Sequence, residues 1–292
     1  MLTFTRNHPL IAFFALAFAL AWAILIPSVL ASYGLMNLPG PTLLLLVMGY
    51  GPTIAAVLVS GALGGWAEIR ALLTRLLIWR VGWGWWAVTL FLNGGIILAS
   101  LGLYGLLGNA VPPFPPLGPG LLLEIVVMFV LVALLNGEEI GWRGFALPRL
   151  QARYGVPATV IVLGVMETVF HLPIFFNNGP SEAGGQNGTP FLAFLASSVP
   201  AVFLFVWLYD HTRGSLLIAT LFHASMNAWS NILPFPATSA SFFWLLALAQ
   251  LVTVAVVLVV GGTRWMQVRP ALASGSGAVE AAAALGHAPA GG

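Results

Sequence analysis

The sequence contains no cysteine and no lysine, and charged residues of every kind are scarce. Without cysteine, the chain has no disulfides, no thiolate metal ligands and no cysteine nucleophile. Asp210 is its one aspartate, which excludes an intramembrane aspartyl dyad, and no H-E-x-x-H sequence is present to form a two-histidine zinc helix. The ten basic residues are all arginines and form no clustered basic face, so a nucleic-acid partner is excluded.

Apolar residues take the place of the missing charged ones. They make up 60% of the 292 positions, and the mean hydropathy is +0.99. Soluble domains have far fewer apolar residues, and helices span a bilayer because they pair their own backbone polar groups. The sequence therefore predicts an all-α polytopic protein embedded in the lipid bilayer. Eight apolar spans can be recognised, at approximately residues 9–31, 41–63, 83–107, 120–144, 157–176, 190–209, 214–232 and 240–261.

The arginines predict how these spans are oriented. If the eight spans cross in turn, all ten arginines fall on one side of the membrane. The positive-inside rule then places both termini in the cytoplasm and residues 177–190 outside, in a protein of the plasma membrane. The first span also has features of a signal peptide, but an apolar length of more than about 20 residues favours a retained anchor. The arginines are Arg6, Arg70, Arg75, Arg80, Arg143, Arg149, Arg153, Arg213, Arg264 and Arg269.

The chain divides into three predicted parts. Residues 1–119 hold the first three spans, and residues 120–262 hold spans four to eight together with most of the unusual polar residues. Residues 263–292 end in an Ala/Gly-rich stretch that is expected to be a disordered cytoplasmic tail.

The most informative stretch runs from Asn136 to Phe145 and contains two adjacent carboxylates and an arginine. It lies at or near the end of the fourth span. An ionised Glu or Arg at mid-bilayer costs roughly 2.5–3.5 kcal/mol on insertion scales, so a chain this poor in charge is expected to use these residues. At helical spacing Glu139 and Arg143 share one face and can pair. Glu138 is turned away by about 100° and is left for chemistry.

Two further spans carry polar residues four positions apart. Glu167 and His171 lie in the fifth span, and His223 and Asn227 lie in the seventh. Each pair alone also fits a structural role, because a polar contact between membrane helices is worth about 0.6 kcal/mol on average. Together with the Glu-Glu-Arg stretch they supply a base, orienting imidazoles and donors for an oxyanion. This combination is typical of a site that activates water.

These residues resemble the three motifs of the CAAX-protease and bacteriocin-processing family of intramembrane proteases, also called the Abi family. Glu138 to Arg143 reads as its E-E-x-x-x-R motif. His171 matches the histidine of the second motif, and His223-x-x-x-Asn227 matches the third. The resemblance extends over approximately residues 120–232.

The resemblance implies a membrane-embedded peptidase site that faces the cytoplasm, between spans four, five and seven of an eight-helix core. It implies that Glu138 is the base that activates water and that His171 shares this water or a metal. Glu139 and Arg143 would support the base, and His223 with Asn227 would stabilise the oxyanion. The substrate would be a peptide or a membrane protein, prenylated or not, and the oligomeric state is left open.

Glu167 departs from the family pattern, which has an aromatic residue at this position. Because it precedes His171 by one helical turn, we expect its carboxylate to hydrogen-bond to that imidazole; the alternative is that it packs toward span four or a cavity. The two histidines are also predicted to lie at different depths in the membrane. His223 lies roughly 13 Å from the start of its span, and His171 lies more than about 20 Å from the start of its own. Span five is therefore expected to tilt, or to extend into the cytoplasm with its first turns.

The same residues leave open whether the site uses a metal and whether the protein is an enzyme. A divalent metal such as zinc would take His171, His223 and one glutamate, with Glu139 as the candidate, whereas a metal-free mechanism fits the same residues. A non-enzymatic scaffold or immunity protein with the same fold is an alternative to the protease. A transporter with a polar mid-membrane site is a third, against which the absence of a convincing internal repeat argues.

Overall fold

A computed structural model describes residues 2–38, 48–116, 118–178 and 190–266, and all regular structure within these ranges is helical. The predicted all-α class is confirmed. Three short 3₁₀ turns and one π-helical segment accompany the α-helices. The α-helices are α1 (Leu2–Asn7), α2 (Pro9–Ser32), α3 (Gly51–Leu73), α4 (Trp83–Leu106), α5 (Pro119–Leu135), α6 (Leu147–Phe170), α7 (Phe191–His211), α8 (Leu216–Ile232) and α9 (Ala240–Gly261).

Helices α2 to α9 correspond in order to the eight predicted spans. Within the described residues, six helical stretches are long and apolar enough to cross a membrane, while α5 and α8 have 17 residues each. Large apolar side chains are exposed on the outer helices, such as Leu122 on α5 and Val259 on α9. Such a surface is stable in lipid and not in water, so the chain is an integral membrane protein.

The fourth span ends earlier than expected. We predicted a span to residue 144, but α5 ends at Leu135, and Asn136 has an extended backbone with φ −94° and ψ 96°. The side-chain oxygen of Asn136 then accepts a hydrogen bond from the backbone N–H of Glu138, at 3.1 Å. This local turn, typical of Asn, begins a new helix. The two glutamates therefore stand in the first turn of the next helix and not in the last turn of α5.

That next helix folds back on itself at Gly155. A π-helical segment, Ile140–Ala146, leads into α6, and Gly155 has φ 75° and ψ 175°, a conformation that glycine adopts readily. In a straight helix Arg143 and Glu167 would lie roughly 36 Å apart, but their side chains are 2.9 Å apart. The helix is therefore a hairpin with an outgoing arm, residues 140–154, and a return arm, residues 156–170. The residues between 144 and 157, which we expected to connect spans four and five, are therefore helical except at the turn at Gly155.

The hairpin resolves the difference in depth between the two histidines. Gly144 lies beside Leu216, the first residue of α8, since a Cβ on Gly144 would lie 3.0 Å from that side chain. The turn at Gly155 is eleven residues farther along, which is roughly 16 Å of helix. The first turns of the return arm therefore extend beyond the start of α8, and their place in the cytoplasm stays a prediction.

The outgoing arm is buried against the N-terminal helices. Phe13 of α2 packs edge-on against Trp142 and stacks on Phe145, with ring centroids 5.5 and 5.0 Å apart. One hydrophobic core runs from α2 and α3 through the hairpin to α7, α8 and α9.

The division of the chain at residue 119 stays a prediction. Of the predicted tail, Arg264–Met266 form a 3₁₀ turn whose Trp265 packs on Phe203, and residues 267–292 lie outside the described part of the chain.

Candidate active site

Glu138 is held in place by a tryptophan on its own helix. The side chain of Trp142 is fully buried, and its indole N–H donates to Oε2 of Glu138 at 3.0 Å. The other oxygen, Oε1, lies 3.7 Å from Nε2 of His171. This separation is too long for a direct hydrogen bond, and it suits two groups that share one water molecule. One carboxylate oxygen is thus anchored and the other faces the imidazole.

Glu139 pairs with Arg143, as the helical spacing predicts. Nη1 of Arg143 donates to Oε1 of Glu139 at 3.2 Å, and both side chains are buried. The guanidinium carbon of Arg143 also lies 3.9 Å from the centre of the Phe205 ring, within range of a cation–π interaction. The same oxygen of Glu139 lies 2.6 Å from Nδ1 of His223. Because a carboxylate accepts, Nδ1 of His223 carries the proton and Nε2 is directed elsewhere.

The carboxylate of Glu167 contacts Arg143 and makes no hydrogen bond to His171 within the described structure. Oε2 of Glu167 accepts from Nη1 of Arg143 at 2.9 Å. His171 is held instead by the backbone of the same residue, since its Nδ1 lies 2.7 Å from the Glu167 carbonyl oxygen. A carbonyl accepts, so Nδ1 carries the proton and Nε2 faces Glu138. The expected side-chain pair is therefore wrong, because a carboxylate buried beside an arginine gains more from the cation than from a neutral ring.

Helix α8 is fixed by polar contacts with α4. The side-chain amide of Asn93 donates to the Phe222 carbonyl at 3.1 Å and to Ser225 Oγ at 2.8 Å, which brackets His223. Asn227 lies one turn beyond His223 on the same helix and is half-buried. Its side chain forms no hydrogen bond with another residue in the described ranges. The structure thus places Glu138 beside His171 and Glu139 beside Arg143 and His223, and it leaves the Asn227 amide available.

The break before Glu138 depends on residues that the sequence analysis did not single out. The hydroxyl of Tyr50 donates to the Leu134 carbonyl, and the hydroxyl of Thr53 donates to the Gly137 carbonyl. The first bond satisfies a carbonyl in the last turn of α5 that has no helical partner, and the second holds the break between α5 and the next helix. No pattern in the sequence links these distant positions. Trp142, in contrast, could have been found, because it lies four residues after Glu138.

A second group of polar contacts, made by Arg75 and Arg149, lies between the hairpin and the neighbouring helices. Nη1 of Arg75 donates to the Gly144 carbonyl at 3.1 Å and to the Tyr209 hydroxyl at 2.8 Å. Farther along the outgoing arm, Arg149 lies 3.9 Å from the Glu68 carboxylate. These contacts join the ends of α3 and α7 to the outgoing arm of the hairpin, between the two glutamates and the turn at Gly155.

The side chains do not form a metal centre in the described part of the chain. No three His, Asp or Glu residues there are arranged to hold a metal ion. Nδ1 of His223 and Nδ1 of His171 are each engaged by an oxygen acceptor. Both contacts leave Nε2 of the ring with a free lone pair, as in histidines that bind a metal through one nitrogen and donate the other N–H to an oxygen. The candidate set Glu139, His171 and His223 stays a prediction.

Comparison with known proteins points to the family indicated by the motifs. Residues 118–229 match the family model described as Rce1-like, type II CAAX prenyl endopeptidase. Over 111 residues the chain is 31% identical to CAAX prenyl protease 2 of Methanococcus maripaludis, a match that covers 37% of this chain and 41% of that relative. The chain thus spans about two fifths of the relative's length. All six predicted site residues lie inside the matched region. The resemblance drawn from the three motifs is thereby confirmed: residues 118–229 are similar to the Rce1-like type II CAAX prenyl endopeptidases.

Proposed function

We propose that the protein is an intramembrane endopeptidase in which Glu138 activates the water that cleaves a peptide bond. The observation that carries this proposal is the geometry of Glu138. Trp142 anchors one of its oxygens at 3.0 Å, and the other lies 3.7 Å from Nε2 of His171. The carboxylate is buried at 7% exposure, which favours proton transfer over solvation.

The reaction then needs four steps that these residues can supply. Oε1 of Glu138 takes a proton from a water molecule oriented by Nε2 of His171, and the water oxygen attacks the peptide carbonyl carbon. The carbonyl oxygen becomes an oxyanion, for which the proposed donors are the Asn227 amide and His223 in its imidazolium form, with a proton on Nε2 as well as on Nδ1. The C–N bond breaks, and Glu138 returns its proton to the leaving nitrogen. Glu139 and Arg143 do not touch the reacting atoms and hold His223 in place.

The proposed substrate is a peptide or a membrane protein. The name of the relative, CAAX prenyl protease 2, makes a prenylated carboxyl-terminal peptide the first substrate to test. The proposed location is the plasma membrane with both termini in the cytoplasm, which rests on the arginine distribution. Neither a scaffold nor a transporter is favoured by the matches to a prenyl endopeptidase.

The test is cleavage by purified protein carrying Glu138→Gln. Glutamine keeps the acceptor for Trp142 but cannot take a proton from water, so we expect activity to fall by about 10²–10⁴-fold while thermal stability stays near native. The matched control is Glu124→Gln, which removes an exposed glutamate from α5 and should leave activity unchanged. Peptides with and without a prenyl group, and membrane proteomes from cells with native or Glu138→Gln protein, identify the substrate. Full activity in Glu138→Gln contradicts the mechanism.

A further inference from the structure

We propose that Glu167 is a positioning residue that holds both histidines of the site, one through its carboxylate and the other through its backbone carbonyl. This inference rests on the proposed peptidase function and adds a role that the family pattern does not contain, since an aromatic residue is usual at this position. Glu167 stands on the return arm, next to the point where the three polar segments meet.

The carboxylate begins a continuous chain of hydrogen bonds that ends at His223. Glu167 Oε2 lies 2.9 Å from Nη1 of Arg143, and the same nitrogen lies 3.2 Å from Oε1 of Glu139. That oxygen lies 2.6 Å from Nδ1 of His223. The chain joins the return arm, the outgoing arm and α8. Arg143 and Glu139 are fully buried, so solvent does not reach the middle of the chain.

Arg143 depends on Glu167 because one nitrogen makes all of its hydrogen bonds in the described structure. Nε and Nη2 of Arg143 are buried and have no partner there, whereas Nη1 has two carboxylate acceptors. Two acceptors on one nitrogen define where that nitrogen lies. With Glu139 alone the guanidinium would be held at a single point, beside the Phe205 ring, and could turn about it. Glu139 and His223 would then lose their fixed position.

The backbone of Glu167 holds the other histidine. Its carbonyl oxygen lies 2.7 Å from Nδ1 of His171 and so directs Nε2 of that ring toward Glu138. Anchoring the side chain on Arg143 fixes the last turn of the return arm, and with it this carbonyl. One residue therefore sets the distance between the two histidines on either side of the glutamates.

The test compares Glu167→Gln with Glu167→Met, which keep similar length. The glutamine oxygen still accepts from Arg143, while methionine has no such acceptor. We expect Glu167→Met to lower kcat by about 10–100-fold with little change in KM, because the side chain positions catalytic groups without binding substrate. Glu167→Gln should recover most of this loss, and Glu124→Gln serves as the control again. A native kcat in Glu167→Met, or equal losses in the two variants, overturns the proposal.

Thermal unfolding in an Arg143→Leu background provides a readout besides activity. There Glu139 and Glu167 are left as two buried carboxylates without their cation, so Glu167→Met should raise the unfolding midpoint, whereas in the native background it should lower it. Contacts that form one network are expected to be non-additive in this way. An equal decrease in both backgrounds contradicts the role of Arg143, and Glu167→Gln allows the same comparison if Glu167→Met does not fold. If the native protein cleaves no substrate, the proposed function fails, and the unfolding midpoints still report on the Glu167–Arg143 contact.

Discussion

At the residue scale, a single oxygen atom of Glu139, Oε1, joins that residue to both Arg143 and His223. Glu138, one position earlier, faces His171 and Trp142 instead. Two adjacent carboxylates thus have different neighbours because one helical position turns them by about 100°. We infer that Glu139 organises the site and that Glu138 performs the proton transfer.

Glu139→Gln is expected to lower activity strongly and stability moderately. If Glu139 were the single partner of Arg143, this change would leave a buried cation without a counter-charge, which typically costs about 3–5 kcal/mol. Because Glu167 also accepts from Arg143 at 2.9 Å, we expect a smaller loss, of about 1–3 kcal/mol. Thermal unfolding and cleavage assays of the purified variant measure the two effects. A loss of stability as large as that of Arg143→Leu would show that Glu167 does not compensate.

At the element scale, the π-helical segment needs close contact with the start of α3. A Cβ added to Gly141 would lie 2.6 Å from the carbonyl oxygen of Pro52, so glycine is required for this approach. Tyr50 and Thr53 hold the preceding break through the Leu134 and Gly137 carbonyls. Segments of π-helix often occur at functional sites. Here the segment carries Trp142 and Arg143 beside the two glutamates.

Gly141→Ala is therefore expected to destabilise the protein and to lower its activity. The methyl group meets backbone of α3, which cannot move without shifting the helix, and overpacking of this kind costs about 1–3 kcal/mol. Gly102→Ala on α4 is the matched control, because a Cβ there meets no atom within 4 Å. Unfolding midpoints and kcat of the two variants decide the prediction. It is wrong if Gly141→Ala behaves as Gly102→Ala does.

At the scale of the whole molecule, the hairpin connects the site to the arginine-rich side of the protein. Arg149 and Tyr154 lie toward its turn, and the glutamates lie at its opposite end. Arg75 joins the outgoing arm to Tyr209 between these levels. If the positive-inside rule holds, the turn at Gly155 faces the cytoplasm and the site lies deeper in the membrane.

Labelling of single cysteines tests this orientation, and the chain has no cysteine to interfere. Tyr154 and Phe114 are both exposed, on the hairpin and in the connection between α4 and α5. We expect an impermeant thiol reagent to label Phe114→Cys in intact cells, and to label Tyr154→Cys only after the membrane is permeabilised. The reverse pattern would place the arginine-rich side outside.

Sequence and tertiary structure determined different features of this protein. The sequence alone determined the membrane class and the order of the helices, and it pointed to the candidate site residues because charges in apolar spans are costly. It also predicted the pairing of Glu139 with Arg143, since helical periodicity determines which neighbours share a face. Only the tertiary structure decided that α5 ends at Leu135 and that Glu167 contacts Arg143 and not His171. Those outcomes depend on residues distant in sequence that meet where a helix reverses at Gly155 and packs on α3 and α8, and periodicity along one helix carries no information about such partners.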